Sequence, residues 1–410
     1  MKDFKFYTQI STSHSSEESL NPRTLRQRLD EVRPVIPIAG LIAGSYENKA
    51  VFRELTVNKR ADDPEVYLWY NLLSDYPGQD ESESVITDRG KTCKKWFGWG
   101  EDAQDEVSES FMFSCPNHPG TREKTLKALS DLLDRYSFDG VFLDKFRFPS
   151  PASGLDLTFY CFCPNCYRKA AEAGLDLDEV KKELRDWKNA GFGISQRTDD
   201  WLEALLAGKP LLRKFIRFRI DSVLEIVREV RKITDAHGVK LGLDLFSPSF
   251  AGIVGYDLTE LAQLADWVKP MTYQYAFGPA GIRLETISLA EGIEKEFAVS
   301  EEQLFAAAEK AVPWFTAEKY AELKETAVPM EWIRSEMAAS KRLMDRTPVF
   351  FGLECVSFPG VIDVQPDQAA ALFSAALDNG ADGTVLSWDV MHMPLENLKA
   401  IRSVYDERCR

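Results

Sequence analysis

At 410 residues with 44% hydrophobic content, the chain can bury a large core, either as one barrel with loop insertions or as two domains. Its formal net charge of −15 argues against nucleic acid or an anionic membrane as the main partner, because both need a concentrated basic face. No apolar run reaches bilayer length and the opening MKDFKFYTQISTSHSSEESL has no signal-peptide core, so a cytoplasmic location is expected.

In chain order, short β-rich runs alternate with amphipathic helical stretches. The runs are FKFYTQI near Phe4, VIPIAGL near Val35, VYLWYNL near Val66, GVFLD ending at Asp144, VKLGLDLF near Val239, DWVKPMTY near Asp266, PVFFGLEC near Pro348 and GTVLSWD near Gly383. Between them TLRQRLDEV, AVFREL, TREKTLKALSDLLDRY, LLRKFIRFRIDSVLEIVREVRKI, LTELAQLA, MEWIRSEMAASKRLM, DQAAALFSAALDNG and LENLKAIRSVYDE carry most of their apolar residues at helical spacing. Gly238 and Gly380 each stand where a helix-ending glycine belongs. Eight βα repeats predict a closed (β/α)8 barrel over residues 1–410. The competing fold, a doubly wound open sheet, would usually carry a Gly-rich phosphate loop after an early strand, and none is present.

Three strand-to-helix connections are far longer than usual: Leu73 to Pro119, Lys145 to Pro210 and Gln274 to Phe315. They follow strands 3, 4 and 6, so in a parallel barrel all three wall one mouth at the C-terminal face, and residues 145–210 form an inserted subdomain.

That insertion holds YCFCPNCYRK. The seven cysteines are an odd number spread through the chain, so reduced thiols rather than a disulfide framework are expected. Cys161, Cys163 and Cys166 read first as buried thiols that pack the loop, since a single C-x-x-C pair lacks its partner pair. The minor reading is a structural zinc with Cys93, Cys115 or His118 as fourth ligand. No cofactor is expected, and the four histidines form no metal-spaced pair, which disfavours a metal-dependent amidohydrolase or deacetylase.

Carboxylates recur where strands end: Asp144 on the fourth, Asp244 on the fifth, Glu354 on the seventh and Asp389 on the eighth. A lone strand-end Asp is more often a cap or an ion-pair partner, and Asp389 has that second reading; four at corresponding positions point to one mouth. Trp69, Tyr70 and Asn71 on the third strand, Tyr273, Gln274 and Tyr275 on the sixth, and Trp388 on the eighth add aromatic and amide groups suited to sugar faces and hydroxyls. Whether Trp69 and Trp267 face the helices or the barrel interior depends on strand parity. Glycosidic cleavage generally uses two carboxyl groups, one ionised and one protonated. Asp144 is expected to be the ionised nucleophile beside Lys145 or Arg147, with Asp244 or Glu354 as acid/base.

FDGVFLDKFRFPSP, LGLDLFSPSF and ADWVKPMTYQYAFGP, within Tyr136 to Pro279, resemble the strand-four, strand-five and strand-six segments of a bacterial family of glycoside hydrolase domains, distantly related to the α-amylase clan. The matching positions are Asp144 with Arg147, Phe148 and Pro149; Asp244 with Phe246; and Pro270, Met271 and Tyr273. The resemblance implies a barrel, carbohydrate as substrate and retaining chemistry. The chain departs from α-amylase proper in having Phe142 where that enzyme has Arg, and Asp244 where its acid is Glu. The expected function is hydrolysis of an oligosaccharide; the alternative is a sugar-binding barrel without turnover.

Overall fold

The computed structural model describes residues 4–12, 20–92, 96–98, 108–110, 112–154, 159–190, 201–311, 317–358 and 362–409. Eight strands close into a parallel barrel: β1 (Lys5–Ser11), β2 (Ile38–Gly44), β3 (Glu65–Asn71), β4 (Gly140–Asp144), β5 (Lys240–Phe246), β6 (Trp267–Met271), β7 (Phe350–Glu354) and β8 (Gly383–Ser387). Each pairs with its neighbours in chain order, and β1 pairs with β8 through Lys5–Gly383 to Thr8–Leu386. All eight coincide with the predicted strands.

A helix follows each strand: α1 (Pro22–Val32), α2 (Lys49–Thr56), α3 (Pro119–Arg135), α4 (Pro210–His237), α5 (Leu258–Ala262), α6 (Met330–Leu343), α7 (Pro366–Asp378) and α8 (Leu395–Cys409). Gly238 ends α4 in the left-handed region, at φ 68°, where a side chain would be strained.

The long connections contain structure of their own. After β3 lies an antiparallel pair, Trp96–Gly98 with Ser108–Ser110; after β4 come helices Pro164–Glu172, Leu177–Ala190 and Trp201–Leu205. The connection after β6, read from sequence as loop, folds into helices Ile282–Phe297, Glu301–Ala311 and Ala317–Glu325. Gly292, inside the first of these helices, is a weak helix former. Yet Ile282, Ile287, Ala290, Ile293 and Phe297 share one buried face, and that burial outweighs the local propensity.

Strand parity sorts the core in two. Outward residues such as Phe6, Leu68, Tyr70, Leu143 and Leu243 pack under the helices, whereas Tyr7, Ile42, Tyr67, Phe142, Trp267, Phe350 and Val385 plug the barrel interior. Phe142 stacks on Trp267 at 5.4 Å and Trp267 on Phe350 at 5.3 Å. Glycines on neighbouring strands make the room for these rings. A Cβ on Gly242 would lie 2.4 Å from the Trp267 ring, and one on Gly140 2.3 Å from that of Tyr67.

Candidate active site

Above the aromatic plug the inward positions turn polar. Phe142 faces inward, so Asp144 two residues later does too; Trp267 does the same for Lys269. On β3 the inward set is Tyr67, Trp69 and Asn71, and Asn71 pairs in register with Asp144. Leu143 pairs with Leu243, which brings Asp144 and Asp244 level on adjacent strands.

Asp144 accepts on both oxygens. The Trp69 indole Nε1–H donates to Oδ2 at 2.9 Å, and the backbone N–H of Lys145 donates to Oδ1 at 2.5 Å. Lys145 holds a left-handed backbone, φ 50°, a sparsely populated state for a side-chain-bearing residue. Its ammonium pairs with Asp75 at 2.5 Å. Arg147 is buried between the rings of Phe113 and Phe246, 4.5 and 4.4 Å from their centroids, and donates to the Phe148 carbonyl at 3.1 Å. Among the described side chains the one that donates to Asp144 is therefore Trp69, alongside the Lys145 and Arg147 charges expected from sequence to keep it ionised. Asn71 is buried beside it, and neither its amide nitrogen nor its oxygen has a hydrogen-bond partner among the described residues.

Asp244 is enclosed, 2% exposed. Its Oδ2 accepts from Lys269 Nζ at 3.1 Å, and that ammonium also donates to the Tyr273 hydroxyl at 2.8 Å and to Gln9 Oε1 at 3.3 Å. The other oxygen, Oδ1, is buried without a partner among the described residues. Burial pushes the Asp244 carboxyl up to about 7, against the pull of Lys269 and Arg147, and the charge of Asp144 adds to the rise. Two level carboxyl groups thus occupy opposed environments.

Glu354 also faces inward, but its oxygens are taken up by main chain. They accept the N–H groups of Gln274 at 2.6 Å, Tyr275 at 3.0 and 3.1 Å, and Ala276 at 2.5 Å, which clamps the start of the connection after β6. Burial pushes its carboxyl up to about 7 as well, opposed by those three donors. Gln274 turns its amide to the Val328 carbonyl at 2.7 Å. Asp389 accepts from Met391 N–H at 3.0 Å and caps the turn Val390–His392. Tyr70 points outward, where its hydroxyl donates to the Thr125 carbonyl on α3 at 2.6 Å. Trp388, half-buried, meets the Tyr273 ring edge-on at 5.8 Å.

The site thus gathers Asp144, Asp244, Asn71 and Tyr273, and sends Tyr70, Gln274 and Asp389 to other partners. Trp69, read from sequence as a strand-end group of the mouth, belongs to it through Asp144, and so does Lys269, which is not among the candidates read from sequence. A lysine midway along the apolar strand DWVKPM, at the parity of Trp267, is the signal that would have identified it. Tyr46 and Phe277 are exposed aromatics in the connections after β2 and β6, and the Arg283 guanidinium lies over the Phe277 ring, 4.9 Å from its centroid.

Among the described residues one group could hold a metal ion: Cys115, Cys161, Cys163 and Cys166, all buried, with their sulfur atoms within 4.8 Å of one another. Cys93 lies outside the described residues. No described helix is long and apolar enough to cross a membrane.

No protein-family model matches the chain, and no curated protein is similar to it in sequence. Solved structures do resemble it. The glycoside hydrolase domain of PgaB (BpsB) from Bordetella bronchiseptica superposes with a TM-score of 0.57 at 14% identity, over 98% of each chain. The catalytic domain of β-amylase from Paenibacillus polymyxa gives 0.54 at 9% identity, over 100% of this chain and 99% of that one. At such identity the likeness establishes the fold, a barrel of the kind glycoside hydrolases have.

Proposed function

We propose that the protein hydrolyses a glycosidic bond in an oligosaccharide, with Asp144 as nucleophile and Asp244 as general acid/base. The observation that carries this reading is the level pair itself. One carboxylate is held by two N–H donors at the mouth, and one carboxyl is buried enough to keep its proton near neutral pH. Glycoside hydrolases among the structures of the same fold support the substrate class.

In this reading an Asp144 oxygen bonds to the anomeric carbon as the glycosidic C–O bond breaks, and Asp244 gives its proton to the departing oxygen. Water then attacks the same carbon, returns a proton to Asp244 and frees Asp144. Adjacent strands lie about 4.8 Å apart, which favours the close carboxyl spacing of a retaining enzyme, about 5 Å, over the wider gap of an inverting one. Asn71 supplies an unsatisfied amide for a sugar hydroxyl, and Trp388 and Tyr46 supply stacking faces. Glu354 is assigned a positioning role, because its oxygens hold main chain. The order of roles, β4 then β5, is the one implied by the α-amylase-clan resemblance.

The Asp244–Lys269 ion pair favours one other reading, a sugar-binding barrel without turnover, since the pair holds the carboxyl that would have to move a proton. Assay of a panel of aryl glycosides and oligosaccharides separates the two. Asp144→Asn is expected to abolish turnover with sugar binding retained. Asp244→Asn should lose about 10²–10⁴-fold on substrates with poor leaving groups and far less on activated ones, which need little protonation. Binding without product release on every substrate would establish the binder instead.

A further inference from the structure

We propose that Cys115, Cys161, Cys163 and Cys166 bind one zinc ion as four thiolates, joining the connection after β3 to the connection after β4. Cys115 Sγ lies 3.4 Å from Cys166 Sγ and 3.6 Å from Cys163 Sγ. A tetrahedral ion with zinc–sulfur bonds of about 2.3 Å would set its sulfurs about 3.8 Å apart. A disulfide would need about 2.05 Å. The four sulfurs, all within 4.8 Å of one another, thus lie close enough to share one ion of zinc size.

Each sulfur also accepts one N–H. Ile86 N–H donates to Cys161 at 3.3 Å; the backbone N–H of Asn117 donates to Cys115, its side-chain amide to Cys166, and Cys166 N–H to Cys163, each at 3.4 Å. Sulfur is a weak acceptor as a thiol and a better one as a thiolate, so a full set of donors suits four ligated anions. Asn117 is itself oriented, because Lys169 Nζ donates to its Oδ1 at 2.9 Å and turns the NH₂ group towards sulfur.

The charge balance requires an anion here. Arg219 on α4 is fully buried, and none of its three guanidinium nitrogens has a hydrogen-bond partner among the described residues; its face rests on the Phe148 ring at 4.5 Å. A guanidinium does not lose its proton in a protein, and an uncompensated buried charge is strongly unfavourable. The groups whose negative charge would act on it are the sulfurs of Cys161 and Cys166. Four thiolates around Zn²⁺ carry a net charge of −2, with the four thiol protons released to solvent on binding. That charge pairs with Arg219, whereas four neutral thiols leave it unmatched.

The site stands one contact from the sugar site. Phe113, two residues before Cys115, stacks on Arg147, three residues after Asp144. The ion would therefore fix the wall of the mouth, and would take no part in the chemistry.

Metal analysis of the full chain, expressed without a metal-affinity tag and dialysed against EDTA, is expected to give one zinc per chain. Release should require p-hydroxymercuribenzoate titration of the four thiols. Refolding with Co²⁺ should give the intense thiolate-to-cobalt and d–d bands of a tetrahedral sulfur site. Arg219→Met should weaken zinc retention against a competing chelator by about 10–100-fold. A folded wild-type protein with substoichiometric metal before and after zinc addition overturns the proposal; so does a thiol count in denaturant showing two disulfides. Neither result depends on a variant that folds.

Discussion

Lys269 organises the centre of the proposed site. Its ammonium, 1% exposed, touches Asp244, Tyr273 and Gln9, and its positive charge holds the Asp244 carboxyl lower than burial alone would. A general acid must be protonated in the free enzyme, so kcat/KM should fall as pH rises through about 7, the Asp244 value. Lys269→Met removes the charge that opposes protonation, and the alkaline limb should move to higher pH. Glu354 titrates in the same range, so the assignment rests on the variants: the limb should disappear in Asp244→Asn and persist in Glu354→Gln. A limb unmoved by Lys269→Met would remove Asp244 as the titrating acid. Above that raised limb, where a buried carboxylate would be left alone, Lys269→Met should also cost about 3–5 kcal/mol of stability.

Between elements, the barrel interior depends on matching small with large across neighbouring strands. Gly242 on β5 faces Trp267 on β6, and the indole occupies the space a Cβ would need. The ring is stacked on Phe350 and Phe142, so it cannot move away without disturbing the stack beneath Asp144 and Asp244. Gly242→Ala is expected to lower stability by about 1–3 kcal/mol, read as a lower urea midpoint at unchanged m-value. An unchanged midpoint would mean the interior has slack that the ring can use. Across the mouth, the buried Glu285 of the Ile282–Phe297 helix accepts from Ser150 Oγ at 2.8 Å and from the N–H groups of Ala152 and Ala280 at 2.9 Å. It ties the connection after β6 to the one after β4.

For the molecule as a whole, closure brings the first and last repeats together. Beyond the β1–β8 ladder, Arg28 on α1 donates from Nε to the Val390 carbonyl at 2.8 Å and from Nη2 to the Met393 carbonyl, both in the connection after β8. Arg28→Met keeps the aliphatic stem and removes those charged donors, so the chain should lose about 2–3 kcal/mol in denaturant titration. The kcat/KM profile should keep its shape, because no proposed site residue touches Arg28. A changed profile would show that the seam and the mouth move together.

The eight strands and their return helices were legible in the sequence because their causes are local: a period of two or 3.6 in the apolar residues, and glycines at helix ends such as Gly238. Which residues close a strand could be read in the same way, and so could the presence of carboxyl groups at several of those ends. Tertiary structure alone decided the partners. On β3 the neighbouring residues Trp69 and Tyr70 face opposite sides, so one residue of parity separates an indole on Asp144 from a phenol on Thr125. Glu354 and Asp244 look alike as strand-end acids. One meets three backbone N–H groups some 80 residues away in sequence and the other meets Lys269, contacts that exist only once the barrel has closed. Cys115 joins Cys163 across 48 residues for the same reason, since ligand spacing along a chain says nothing of a partner delivered by another loop.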